Sequence, residues 1–574
     1  MEPQGRHSYE FGPFRIDRGE RLLRRGGEVI PLPPQAIDTL LILASSGGRV
    51  VEKDDLLKRI WPDTFVEEGG IARNISLLRK ALGEGPDTLY IETIPRRGYR
   101  FVAPVHETLD EALSARSLAV LPMANLSHDS SQDYFANGMT DELISYLMKI
   151  EALRVSSRTS VMAFKGVGKP LREVARELDV RWVVEGTVLQ SGERVRITAR
   201  LIDGLTEEHH WVNTYEKDLR DVLALQSEVA RDIAREIRVK LTSPEKLRLA
   251  QSRAVNPEAY QDYLRGRHFL NKRTSEELKK AREYFRQAID KDPTYAPAHS
   301  GLADAYALMA SSGYDVMPPR EAMPLARAAA NNALRIDDTL AEAHAALGYI
   351  ALVYDWNWQA TEQYLKRAIE LNPGYAAAHQ WQGELLLARS QPSAATEAFR
   401  RALELDPLSI PCNLGLGWSY YFSRKYDLAI EQYRKTLEIA PDIPMALYGL
   451  GLTYQHKNLP QECFSEIQKA YVSSGGEAAA VMLIAAIGAL SGQRETAQAE
   501  LSRLQALASQ KYVPAVYFAL IHAALNNLDD AFEWLQKACE ERSSYLIFIN
   551  LQPAIENLRS DSRYQILLKK IGLN

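Results

Sequence analysis

The chain has 574 residues, too many for one domain and suited to roughly four of ordinary size. Its 46% hydrophobic and 25% charged residues are those of a soluble globular protein, and a net charge of −5 argues against one that coats nucleic acid without selectivity, though not against a small domain with one basic face. Cys412, Cys463 and Cys539 lie too far apart for a disulfide framework or a zinc site and suit a reducing cytosol. The N-terminus is polar, and the longest apolar run, Ala478 to Leu490, is too short to span a bilayer. A cytoplasmic protein with no membrane partner is expected.

In chain order, short strands come first: Tyr9–Ile16, Glu20–Arg25, a Gly26-Gly27 turn, and Glu28–Leu32. Pro33-Pro34 opens a helix to Ala44, which Gly47-Gly48 closes. A second helix spans Lys53–Trp61, with Asp54 and Asp55 in its first turn and Pro62 as its stop. Between Val66 and Leu82, Ile71, Ile75, Leu78 and Leu82 recur at helical spacing and define one apolar stripe. The opposite side carries Arg73, Ser76, Leu77 and Lys80, with Asn74 and Arg79 on the flanks, a face able to enter a major groove. A strand then runs from Leu89 to Ile94, turns through Pro95-Arg96-Arg97-Gly98, where the glycine tolerates positive φ, and returns over Tyr99–Val102. A helix followed by a two-stranded basic wing is the DNA-reading half of a winged helix.

On Trp61-Pro62, on Asn74-Ile75-Ser76-Leu77-Leu78-Arg79-Lys80-Ala81-Leu82 and on Ile91-Glu92-Thr93-Ile94-Pro95-Arg96-Arg97-Gly98-Tyr99-Arg100-Phe101, residues 8–104 resemble the OmpR/PhoB-type winged-helix DNA-binding domain. The resemblance implies that the third helix reads double-stranded DNA. Arg73, Asn74 and Lys80 are then expected at bases or nearby phosphates, Ser76 on the same face, Arg96 and Arg97 at the minor groove, and Thr93 and Arg79 at phosphates. Leu77 stands where a polar contact would be expected and suits a thymine methyl. The phosphoacceptor domain that accompanies this winged helix in two-component regulators is not expected here, so phosphorelay control would require a partner protein. Regulators of the ToxR/CadC kind carry a transmembrane helix after the DNA domain, whereas residues 105–116 here are a short charged linker.

Residues 117–215 read as a small α/β sandwich. Ala119-Val120-Leu121-Pro122, Phe135-Ala136-Asn137-Gly138, Phe164-Lys165-Gly166 and Val184-Glu185-Gly186 resemble a TolB/FlgO-like segment, which implies no known chemistry. A linking helix is expected within 216–255. Beyond it Pro373, Pro407 and Pro441 are spaced by 34 residues, a period shared by Gly383, Gly417, Gly451, Ala485 and Ala519, and again by Ala395, Ala429, Cys463, Ala497 and Ala531. Small residues where helices cross and proline at the turn, at this period, are the tetratricopeptide signature. About eight units are expected over 256–545, with a capping helix in 546–574. On the concave side Trp418, Tyr421, Phe422, Met445, Tyr448 and Leu452 either line a peptide groove or pack between repeats.

Gly166-Val167-Gly168-Lys169-Pro170 only mimics a phosphate loop, since Ala163 stands in place of the first glycine and Pro170 in place of the Ser/Thr. His209 and His210 are adjacent on a strand and face opposite ways, which disfavours a shared metal ion. No catalytic residue, metal or cofactor is expected. The fold class is multidomain: an α+β winged helix, a small α/β sandwich, then an all-α tetratricopeptide solenoid. The function that follows is a bacterial-type transcriptional regulator controlled by a protein or peptide ligand of the solenoid, with RNA polymerase a further candidate partner. The alternative is a tetratricopeptide scaffold whose winged helix contacts proteins.

Overall fold

The computed structural model describes residues 7–17, 21–26, 28–60, 69–85, 89–95, 97–109, 116–127, 129–250, 254–473 and 477–573. Trp61, Pro62 and Arg96, on which the sequence reading drew, lie outside the described residues. The chain divides into two compact units, residues 1–117 with the short stretch 179–181, and the remainder.

The first unit begins with strands β1 (His7–Phe11), β2 (Phe14–Asp17), β3 (Leu22–Arg25) and β4 (Glu28–Ile30). Helix α1 (Pro34–Ala44), strand β5 (Val50–Glu52), and helices α2 (Lys53–Ile60) and α3 (Gly69–Leu82) follow. Strands β6 (Ile91–Ile94), β7 (Gly98–Phe101) and β8 (His106–Leu109) complete it. Period-2 alternation turns Tyr9, Phe11, Phe14, Ile16 and Leu23 inward, where they meet Leu40, Leu43, Ile75 and Leu78 in one core. Phe11 lies edge-on to Phe101 with ring centroids 4.9 Å apart, and Phe14 edge-on to Tyr90 at 5.6 Å. The segment expected as a linker supplies β8, which pairs antiparallel with β1 and completes a sheet of order β4-β3-β2-β1-β8. In the wing, of order β5-β7-β6, Gly98 does not take up positive φ. A Cβ there would overlap the Val51 carbonyl, so glycine serves the close approach of β5 to β7, and the turn-conformation reading is corrected accordingly.

In the second unit, β9 (Ser117–Val120) and β10 (Ala124–Asn125) precede helix α4 (Asp133–Met148), strand β11 (Arg154–Val155) and helices α5 (Arg158–Met162) and α6 (Leu171–Glu177). Three ten-residue strands, β12 (Trp182–Ser191), β13 (Arg194–Asp203) and β14 (His209–Asp218), then lead to helix α7 (Val222–Glu236). The sheet order is β11-β9-β12-β13-β14, with β10 parallel to β12. The helix expected only to link domains, α7, instead packs against this module, on α4, β13 and β14.

The remaining chain forms eight antiparallel helix pairs among the described residues, from Pro257–Leu270 with Ser275–Lys291 to Ala515–Ala524 with Leu528–Glu540. The 34-residue small positions have a direct physical role. Phe399 wedges where Cβ atoms on Gly383 and Gly415 would stand 2.8 Å away or closer, and Tyr433 does the same to Gly417 and Gly449. One aromatic ring from the second helix of a pair thus fills the gap opened by glycines on two successive first helices.

The middle module and the solenoid are one body. Leu264 packs over Gly138 of α4, where a Cβ would meet the leucine Cδ2 at 2.7 Å. Asp141 receives Arg267 at 3.3 Å and Arg158 at 3.5 Å, and Glu142 accepts from the Tyr263 hydroxyl at 2.8 Å. Farther along, the Ser160 hydroxyl donates to Asp406 at 3.0 Å and the Ser157 amide to the Leu405 carbonyl at 3.2 Å. Buried charges paired this way disfavour opening, because removing either partner strands the other.

The solenoid also closes on its own end. The segment Ser544–Leu551 leaves the last helix pair and meets residues 310–312 and 351–355, and Ser312 donates its amide to the Ser544 hydroxyl at 3.0 Å. Arg542 lies over the Trp356 ring at 4.2 Å, and the Tyr517 hydroxyl donates to Asp315 at 2.9 Å. Burial pushes the Asp315 and Glu541 carboxyls up to about 7. A carboxyl raised above its unfolded value stabilises the fold most when protonated, and that contribution is lost as pH rises from about 4 through about 7. Acidification therefore has a defined sign: the melting temperature should rise from about pH 8 to about pH 6.5, and Asp315→Asn should remove part of that rise while Glu541, Asp304 and Glu384, also pushed up to about 7 by burial, keep the rest. His522, pushed down by burial, opposes the trend only at more acidic pH. A melting temperature that falls over this interval would contradict the assignment.

Candidate nucleic-acid interface

Helix α3 presents a buried stripe of Ile71, Asn74, Ile75, Leu78 and Leu82. Across from it Arg73, Ser76 and Lys80 are exposed, and Leu77 and Arg79 are half-buried. Asn74 is the exception to the sequence reading. It is 6% exposed, and its side-chain amide donates to the Gln35 carbonyl at 3.1 Å and to the Thr39 hydroxyl at 3.0 Å. It holds α3 to α1 and does not stand on the exposed face, because a buried side-chain amide must find acceptors and the Gln35 carbonyl and Thr39 hydroxyl of α1 supply them.

Arg79 and Thr93 come together. The Arg79 guanidinium donates to the Ile91 carbonyl at 2.7 Å and to the Thr93 hydroxyl at 2.9 Å, and its Nε lies 3.1 Å from the Glu84 carboxylate. Glu84 in turn accepts the amides of Tyr90 and Ile91 at 2.7 and 2.6 Å. This five-residue junction fixes the wing relative to α3. Glu84 escaped the sequence reading; its position just past the Gly83 helix stop, where φ is +68°, was the available signal. Arg97 is exposed at the wing tip, 3.8 Å from an exposed Glu52, a pairing too solvated to hold it. Positive charge therefore sits at both ends of the surface, Arg73 and Lys80 on the helix and Arg97 on the wing, with Arg79 braced between.

Asn74→Ala should lower the stability of residues 1–117 by about 1–3 kcal/mol, the loss expected on removing a buried donor, without altering base preference. Urea unfolding and a binding selection on the same variant test this; a changed preference at unchanged stability would return Asn74 to the DNA-reading face.

The six candidates for a peptide groove are packed together. Tyr421, Tyr448 and Leu452 are buried, and Trp418, Phe422 and Met445 are half-buried. Trp418 stacks on Phe422 at 5.7 Å and lies 5.8 Å from Tyr448, while Tyr545 of the closing segment lies near enough to Tyr448 to act on its hydroxyl electrostatically. Of the two readings the sequence left open, packing between repeats describes their surroundings.

Residues 27–101 match the family model described as the C-terminal domain of transcriptional regulatory proteins. Residues 350–410 and 414–477 match that of the tetratricopeptide repeat. The chain's N-terminal domain is an OmpR/PhoB-type winged-helix domain of the kind found in transcriptional regulators. The chain is 24% identical over 432 residues to the transcriptional regulator HilA of Salmonella typhi, covering 74% of this chain and 75% of that one. It is 34% identical to the transcriptional activator CadC of Escherichia coli over 96 residues, which are 16% of this chain and 19% of CadC. A putative adenylate cyclase 3 of Rhizobium meliloti is 41% identical over 187 residues, 33% of this chain, and the match spans about a third (32%) of the cyclase. Among the described residues no helix is long and apolar enough to cross a membrane.

Proposed function

We propose that the protein binds double-stranded DNA in a sequence-preferring way, with α3 in the major groove and the wing over the adjacent minor groove. Arg73, Ser76, Leu77 and Lys80 are the side chains offered to base edges, and Arg97 the one offered to the minor groove. Arg79 and Thr93 brace the wing and, being at the surface, reach phosphates. The exposed cationic face of α3, locked to the wing through Arg79 and Glu84, carries this reading. The solenoid with its docked α/β module is the receiving half and answers to a protein ligand in the cytoplasm. RNA polymerase is a partner this reading admits, since a bound activator must contact the transcription machinery. The protein acts by binding and performs no catalysis of its own; the resemblance to a cyclase covers only a third of either chain.

Selection of fragments from a genomic pool by the full chain and by residues 1–117 tests the reading. Both should retain the same sequences, with affinity falling steeply as salt is raised. Retention without sequence preference would favour a scaffold whose winged helix contacts proteins.

A further inference from the structure

The α/β module ends in an unusual edge. The other strands at the margins of the sheets, β4, β5, β6, β8 and β11, are two to four residues long. Strand β14 runs for ten residues, contains no proline, and among the described residues pairs with β13 on one side only. Val212, at its middle, is 61% exposed, and His210, Asn213, Thr214 and Glu216 are exposed around it. An irregularity in register lies at one end, by Ile202 and His209, so the stretch from Trp211 onward stays regular. Proteins usually blunt such an edge by brevity, by proline or by a bulge in its middle, because its free amides and carbonyls template another strand.

The backbone fixes which groups are offered. The Leu219 amide donates to the Glu193 carbonyl at 2.6 Å in line with the β13-β14 register, so by alternation the Thr214 amide points away from β13, where it meets the side-chain oxygen of its neighbour Asn213 at 2.9 Å. By strand alternation the amides of Val212 and Glu216 point the same way.

We propose that two copies of this chain pair antiparallel through β14, about a two-fold axis at Asn213. The choice of occupant rests on self-complementarity. In this register Val212 and Thr214 exchange backbone hydrogen bonds with Thr214 and Val212 of the second copy. Trp211 comes opposite Tyr215 of the second copy, an aromatic pair that stabilises antiparallel strands, and Glu216 comes opposite His210. The two β11-β9-β12-β13-β14 sheets become one of ten strands in line, and the long edge of each disappears. The pairing is independent of the DNA reading, so the two can fail separately.

Two substitutions test it in the full chain. Asn213→Cys places a thiol against its own copy at a position where opposed Cα atoms stand about 4.5 Å apart, within disulfide range. The native cysteines are all buried and leave the background silent. Sedimentation of the wild type at micromolar concentration should give about twice the 64.5 kDa chain mass. Asn213→Cys should form a covalent dimer on mild oxidation. Thr214→Pro removes an amide that β13 does not use, so it should preserve the melting temperature and raise the dimer dissociation constant at least about tenfold. A monomeric wild type, a Thr214→Pro protein that folds and remains as dimeric, or a dimer in which Asn213→Cys does not cross-link would each overturn the proposal. If Thr214→Pro fails to fold, the cross-linking result decides alone.

Discussion

Arg73→Ala should flatten base preference at one or two operator positions while leaving the other positions as they are. An arginine that reads a guanine contributes about 1–3 kcal/mol of discrimination, roughly fivefold to 150-fold. Arg73 is exposed at the middle of α3, and its neighbour Asn74 is buried against α1, so the loss should not spread into the fold. Arg97→Ala should behave differently. A wing arginine answers to groove width, and its removal should weaken binding across sequences, most on A·T-rich flanks. Arg79→Ala should do two things at once. It removes a brace to Ile91 and Thr93 as well as surface charge, so affinity should fall uniformly and the wing should loosen. Binding selections on the three variants at two salt concentrations separate these outcomes. If Arg73→Ala keeps the wild-type preference, the reading face is misassigned.

Tyr448→Ala should lower stability by about 3–5 kcal/mol, the range for emptying an aromatic site in a packed interior. Tyr448 is 4% exposed, between Trp418 and the closing segment, so its loss opens a cavity at a junction of two repeats. Tyr421→Ala should act in the same direction, since its ring sits 5.6 Å from Trp418 and 5.5 Å from His456. Neighbouring repeats share these contacts, so the double variant should depart from the sum of the singles. Denaturant unfolding of the full chain measures all three. Variants that keep wild-type stability yet no longer bind a captured partner would restore the peptide-groove reading.

Local patterns carried much of this protein in one dimension. The stripe Ile71, Ile75, Leu78, Leu82 announced α3 and its inward face, and the 34-residue recurrence announced the helix pairs together with Gly383 and Gly417, two of the four glycines that admit Phe399 and Tyr433. Both are periodicities, and a period is visible wherever one residue type repeats against one kind of neighbour. Features that depend on a distant partner were not legible. Periodicity left Asn74 on a flank of the polar face, and only the Gln35 carbonyl and Thr39 hydroxyl, 39 and 35 residues away, decided that it turns inward. Gly98 looked like a turn residue until β5 proved to lie where its Cβ would be. The groove aromatics of the solenoid could be assigned to a concave side, but not to solvent or interior, because small rotations accumulated over successive repeats bring Ser544–Leu551 back near residues 310–312 and 351–355. The middle module was legible as strands and helices, whereas its union with the solenoid rests on Asp141 with Arg267 and Ser160 with Asp406, pairs 126 and 246 residues apart. Buried hydrogen-bonding groups must find partners wherever the folded chain brings them, and sequence spacing does not encode that meeting.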